Sequence, residues 1–166
     1  SAGLMLIAHA EDLLVLFLGI EIAALATYIL AGFQRGSVRS YESALKYFVL
    51  GSFASGFFLY GMALAYGAAG STSLSEFSKL GETGGSLLLL LSAAFLMIGV
   101  AFKIAAVPFH FWSPDVYEGA PTPVTAFMAS AVKVGGFAAL IRIALALRHL
   151  PEIPWETVLW VLAALT

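Results

Sequence analysis

Four long apolar runs, 13–33, 44–69, 86–107 and 124–147, limit what this chain can fold into. A bilayer core about 30 Å thick is crossed by about 20 helical residues. Each run meets that length. Lipid supplies no hydrogen-bond partner, so a spanning backbone must be a helix or a closed barrel. Barrel strands alternate apolar and polar residues in short segments, and these runs do not. The expected fold is therefore an all-α membrane protein, a polytopic bundle of transmembrane helices. Partial apolar runs flank the four, at 2–8 and from 155 onward. Residues 1–166 read as a single transmembrane domain. The chain starts "SAGLMLIAHAED", with neither Met nor a basic leader, and ends "WETVLWVLAALT" inside an apolar run, so we read it as a segment of a longer protein.

Composition agrees. The chain is 61% hydrophobic and 11% charged, where soluble domains are about half apolar and about a quarter charged. It has no cysteine, which excludes disulfides, thiolate metal sites, thioredoxin-type and Fe–S chemistry. A net charge of −2 gives no footprint for nucleic acid. Paired-histidine metal spacing, a P-loop and GxGxxG are all missing from the sequence, so no metal, nucleotide or redox site is expected.

The connecting segments are 34–40, 70–85 and 149–154, each with Gly, Pro or Ser. Arg35 and Arg39 incline the first toward the cytoplasm. Lys79 and Arg148 then fall on the other side and even the count. In the second run Gly51, Ser52, Ala54, Ser55, Gly56 and Gly61 allow close helix approach, with Ser52 and Gly56 spaced as a small-xxx-small pair.

The informative residues are charges inside the runs. Glu21 sits mid-span in "LFLGIEIAALATY". A carboxylate there costs about 2.5–3.5 kcal/mol on insertion scales. The twelve Leu, Ile, Val and Phe residues of that run return about 0.3–0.6 kcal/mol each. The helix inserts, but the acid needs a reason. It is either structural glue to a neighbouring helix or part of a proton path. Tyr28, two turns on, shares its face. Lys46 lies near the start of the second run, where it can snorkel or pair with Glu42 one turn before. Lys133 is near the centre of the fourth run, too deep to snorkel, with Ala129, Ser130 and Gly136 as small helical neighbours.

Lys103 precedes "PFHFWSPDVYEGAPTPV", a polar, proline-rich stretch between two apolar runs. Pro108 has no N–H, and its ring collides with the carbonyl of Ile104. The third helix must break there, leaving a short half-helix to about 119. Broken backbone at membrane depth must face protein or a water-filled cavity, and in carriers it marks transport sites. His110, just after the break, changes charge near neutral pH. Desolvation penalises the charged form of a buried lysine or carboxylate, and an opposite charge nearby favours it. Glu21, Lys46, Lys103, His110 and Lys133, joined by water, therefore read as a proton relay.

"ALKYFVLGS", "FKIAAVPFHFWSPDVYEGAPTPVTAF" and "ASAVKVGGFAAL" resemble the N-type antiporter-like membrane subunits of respiratory complex I, the proton-pumping NADH:quinone oxidoreductase. The resemblance runs almost end to end and is most specific over 101–142. Related M- and L-type subunits share a similar motif but usually carry His where Tyr117 stands. Multisubunit cation/proton antiporter subunits look like those types and are the alternative. The resemblance implies a bundle of about fourteen helices built on two inverted five-helix repeats, each with one broken helix. This chain would supply one repeat and one half-channel. It places the family's essential glutamate on Glu21, its lysines on Lys46, Lys103 and Lys133, and its broken-helix histidine on His110. It further implies a non-redox, proton-translocating role. NADH, FMN, Fe–S clusters and quinone belong to other subunits, and no cofactor is expected in this chain. Expected partners are the M-type antiporter-like and small K-type membrane subunits, with lipid, water and protons. The expected location is a bacterial cytoplasmic (inner) membrane.

Overall fold

The computed structural model describes residues 1–83, 86–150 and 153–166. Parts of two expected connections, 84–85 and 151–152, lie outside the described residues. Among the described residues every regular element is helical: α1 (Ala2–His9), α2 (Leu13–Ala31), α3 (Val38–Ala69), α4 (Leu74–Thr83), α5 (Leu87–Ile104), α6 (Ser113–Gly119), α7 (Thr122–Phe127), a π turn (Met128–Val132), α8 (Lys133–Leu147) and α9 (Trp155–Leu165). Four helices are long and apolar enough to cross a membrane: α2, α3, α5 and the continuous rod Thr122–Leu147 formed by α7, the π turn and α8. The chain is a multi-pass membrane protein.

Local chemistry sets the helix ends. The Asp12 carboxylate accepts from the Leu14 N–H at 2.7 Å and so caps α2. Ser37 caps α3 and Ser86 caps α5 in the same way. Gly70, with φ 65°, closes α3 in the left-handed conformation. The second span starts at Val38, not 44, because the Ser37 cap and the polar residues after it extend the helix beyond its apolar stretch. Lys46 thus lies more than two turns inside α3.

Two expectations are corrected. Residues 70–85 were expected to form a plain connection, yet Leu74–Thr83 is a helix that seats Phe77 in the core, 2% exposed, and packs on α8. Ser52 and Gly56 are exposed, and a Cβ at Gly56 would meet nothing. The packed face of α3 is Gly51, Ala54, Ser55, Phe58, Gly61 and Ala65. It is one residue out of phase with the expected pair, a rotation of about 100°.

α3 and α5 form the broadest helix contact. A buried Ser92 hydroxyl donates to the Gly61 carbonyl across it at 2.8 Å. Large apolar side chains such as Leu25, Ile29, Phe53 and Leu145 point outward, as a lipid-facing surface requires. One core cluster gathers around Leu13, Leu16, Phe58, Leu96 and Ile143. A second gathers around Tyr28, Tyr47, Phe102, Trp112 and Met128, and the helix break lies beside it. In lipid such clusters hold by close packing and hydrogen bonds more than by exclusion of water.

Candidate functional site

The break in the third span positions the site. α5 ends at Ile104, the residue whose carbonyl the Pro108 ring would strike. The Ala106 N–H donates to the Ala101 carbonyl at 2.9 Å and the Ala105 N–H to the Phe102 carbonyl at 3.1 Å. With Ala105 left-handed at φ 56°, this is a Schellman closure. The Trp112 indole N–H gives the Phe102 carbonyl a second donor at 3.0 Å. The Val107–Pro108 peptide is cis. The Val107 N–H donates to the Thr166 hydroxyl at 3.1 Å. Protein groups thus meet the broken backbone, as burial in a membrane demands.

Lys103 stands in the last turn before this break, with its side chain 8% exposed. Glu21 of α2 brings Oε1 to 3.8 Å from Lys103 Nζ. Lys103 also donates to the Tyr28 hydroxyl at 3.4 Å. The Ser55 hydroxyl of α3 lies 2.5 Å from Glu21 Oε1, within reach to donate to it. One acid, one lysine and two hydroxyls from α2, α3 and α5 therefore meet at one point. Gly51 makes room for it, since a Cβ there would overlap the Tyr28 hydroxyl.

Lys133 opens α8 directly after the π turn. A π turn inserts one residue and shifts the phase of the helix beyond it; such turns are frequent at functional sites. Lys133 Nζ is buried, and no hydrogen-bond partner for it is found among the described residues. It lies 5.1 Å from the ring centre of Trp112 and 5.9 Å from that of Tyr117. One turn on, Gly136 packs against Ile104, where a Cβ would come within 2.7 Å of Ile104 Cγ2. A cavity of about 20 Å³ lies beside Lys103, lined also by Leu4, Ile20, Ala24, Tyr47, Val132 and Gly136. That is room for one water.

Lys46 is placed differently. Its Nζ lies 2.7 Å from Glu42 and 2.6 Å from Asp115 of α6. These groups, with Arg39, Ser43 and Glu118, line a polar cleft of about 220 Å³. Arg39 and Glu118 pair across it at 3.3 Å, and the Ser43 hydroxyl donates to the Val116 carbonyl at 3.0 Å. The i,i+4 pair with Glu42 is present, and Asp115 adds a tie to the half-helix. His110 lies exposed on the turn between α5 and α6, and among the described residues its ring makes no hydrogen bond or ion pair. The structure therefore brings Glu21 to Lys103, sets Lys133 against the rings of Trp112 and Tyr117, and leaves Lys46 and His110 at more open positions.

Sequence reasoning passed over Ser55, Asp115 and Trp112 as site residues. Ser55 was one small residue among many. Asp115 and Trp112 lie in the proline-rich motif, and their partners, Lys46 and Lys133, come from distant helices.

Residues 10–166 match the family described as NADH:quinone oxidoreductase/Mrp antiporter, TM. The chain is 50% identical to NADH-quinone oxidoreductase subunit N of Trichlorobacter lovleyi, covering 100% of this chain and 35% of that protein. Among solved structures, a chain of respiratory complex I from Thermus thermophilus superposes with a TM-score of 0.81 at 45% identity, over 98% of this chain and 34% of that one. A chain of the Mrp complex from Dietzia sp. DQ12-45-1b superposes with a TM-score of 0.83, over 95% of this chain and 30% of that one, at 24% identity, and so shares the fold alone. The chain spans about a third of the length of the curated relatives it matches.

Proposed function

This chain belongs to the NADH:quinone oxidoreductase/Mrp antiporter transmembrane family, and we propose that it carries protons through one half-channel of an N-type antiporter-like subunit of respiratory complex I. In this reading it has no redox chemistry of its own and sits in a bacterial cytoplasmic membrane. NADH, FMN, Fe–S clusters and quinone are held by other subunits, and M-type and small K-type membrane subunits are its neighbours. The identity of about half to proteins named subunit N favours this over a cation/proton antiporter.

The observation that carries the reading is the contact of Glu21 with Lys103, 3.8 Å apart, beside a broken helix and a cavity that leads toward α8. While the two are close, the carboxylate stabilises the ammonium against the cost of desolvation. When they separate, the buried ammonium loses that support and Lys103 releases its proton across the cavity toward Lys133. A change equivalent to one pH unit in proton affinity is about 1.36 kcal/mol, so a small helix movement suffices. The break beside Lys103 supplies the place for it. Ser55 and Tyr28 hold the two ends of the pair. Lys46, at the polar cleft, connects this interior to water.

The test uses the full-length subunit in its assembled complex, reconstituted in vesicles. Lys103→Ala and Lys133→Ala should each lower proton uptake by about tenfold or more, as loss of a proton-transfer group does, with assembly largely intact. A variant that pumps at the parent rate would remove that lysine from the relay.

A further inference from the structure

Lys133 is a buried amine, and no ion pair to it is found among the described residues. Its Nζ makes no hydrogen bond among the described residues, and neither does the buried hydroxyl of Tyr117. What faces the ammonium is a pair of rings, Trp112 at 5.1 Å and Tyr117 at 5.9 Å. The two rings meet edge to face at 5.9 Å. A cation over an aromatic face is attracted by the ring quadrupole, most strongly over Trp and most of all when desolvated.

Trp112 is itself fixed from three directions. Tyr47 stacks on it at 4.7 Å and 7°, Phe102 stacks on it at 5.3 Å, and its indole N–H donates to the Phe102 carbonyl. Phe102 is the residue before Lys103. Tyr47 meets Tyr28 edge to face at 4.7 Å, and Tyr28 accepts the hydrogen bond from Lys103. An aromatic stack anchored at the helix break therefore ends over Lys133, and it touches the surroundings of Lys103 at two points.

We propose that Trp112, with Tyr117, is a positioning residue that holds the Lys133 ammonium through its ring face and ties that hold to the helix break next to Lys103. This rests on the proton-relay reading above. Lys133 can then accept charge with no carboxylate paired to it among the described residues. A displacement of α6 relative to α5 moves the ring and changes how well the ammonium is held.

The decisive experiment replaces Trp112 by tryptophans carrying one, two and three ring fluorines in the full-length subunit of the assembled complex. Fluorine drains the ring face of electron density while keeping shape and the N–H. Proton uptake per electron transferred should fall stepwise, by about tenfold across the series, which is the scale of a desolvated cation–π contact. Assembly should not change. Trp112→Leu should fall at least as far. Uptake that stays flat across the fluorinated series would overturn the proposal and leave Trp112 as packing. Lys133→Ala in the same vesicles separates the two claims. If it pumps normally, the relay reading fails. If it loses pumping while the fluorinated series stays flat, only the aromatic hold fails.

Discussion

At Gly51 an added methyl would overlap the Tyr28 hydroxyl, and Tyr28 Cζ would lie 2.8 Å away. Gly51→Ala must therefore push that hydroxyl off Lys103. Proton uptake should fall several-fold, to about the level of Tyr28→Phe, the scale of one hydrogen bond to a charged group. The double variant Gly51→Ala/Tyr28→Phe should pump about as well as Tyr28→Phe alone, because the hydroxyl contact with Lys103 is already lost and only the ring still has to shift. Additive losses would mean that Gly51 matters to α3 packing and not to Tyr28. At this scale the sequence exposes the charges and hides their partners. Glu21, Lys103 and Lys133 are conspicuous because each is costly inside an apolar run. Tyr28 already shares the face of Glu21 in the sequence, but Ser55 is one small residue among many and Trp112 stands in the proline-rich motif, and only the packing of α2, α3, α5 and α6 gives these two a charge to meet.

The break after α5 is an element with two independent causes. Pro108 forbids the helix to continue, and this is legible in the sequence, although the expected run reached 107 and α5 ends at Ile104. The Schellman closure is not legible, since it places an alanine, Ala105, at φ 56°, where an L-residue is strained by about 1–2 kcal/mol. Ala105→Gly should relieve that strain and raise the thermal stability of the purified complex or leave it unchanged. Ala105→Val, a β-branched residue at positive φ, should lower it. Equal melting temperatures in the two variants would show that Ala105 is not held in the left-handed region. The π turn before Lys133 is equally hidden, because Met128–Val132 reads as ordinary helix and only the backbone shows the added residue. α4 escapes a reading of the sequence for a related reason. Its ten residues, Leu74–Thr83, are too short and too polar for a span, and its buried Phe77 finds its pocket only once α3 and α8 are in place.

On the scale of the whole molecule the chain spans about a third of the length of the curated relatives it matches. An apolar groove between α5, α8 and α9 is lined by Met97, Ile104, Phe137 and Leu159. The same four spans, with the break between two of them, fit a redox-coupled pump and a stand-alone antiporter alike, so the distinction lies in what the assembled protein does. Affinity purification of the full-length chain should bring down the other subunits of an NADH:quinone oxidoreductase, and vesicles should take up protons only while electrons flow. Exchange of Na⁺ or K⁺ for protons without electron transfer would support the antiporter instead. The central claim is that the charge of Glu21 switches Lys103, and it is tested most directly by proton uptake per electron in Glu21→Gln and Glu21→Asp complexes. Gln fills the same space without charge and should lose most of the pumping, about tenfold, while Asp keeps the charge and retains the larger share. Equal losses in the two variants would contradict the switch, showing that Glu21 supplies shape and not charge.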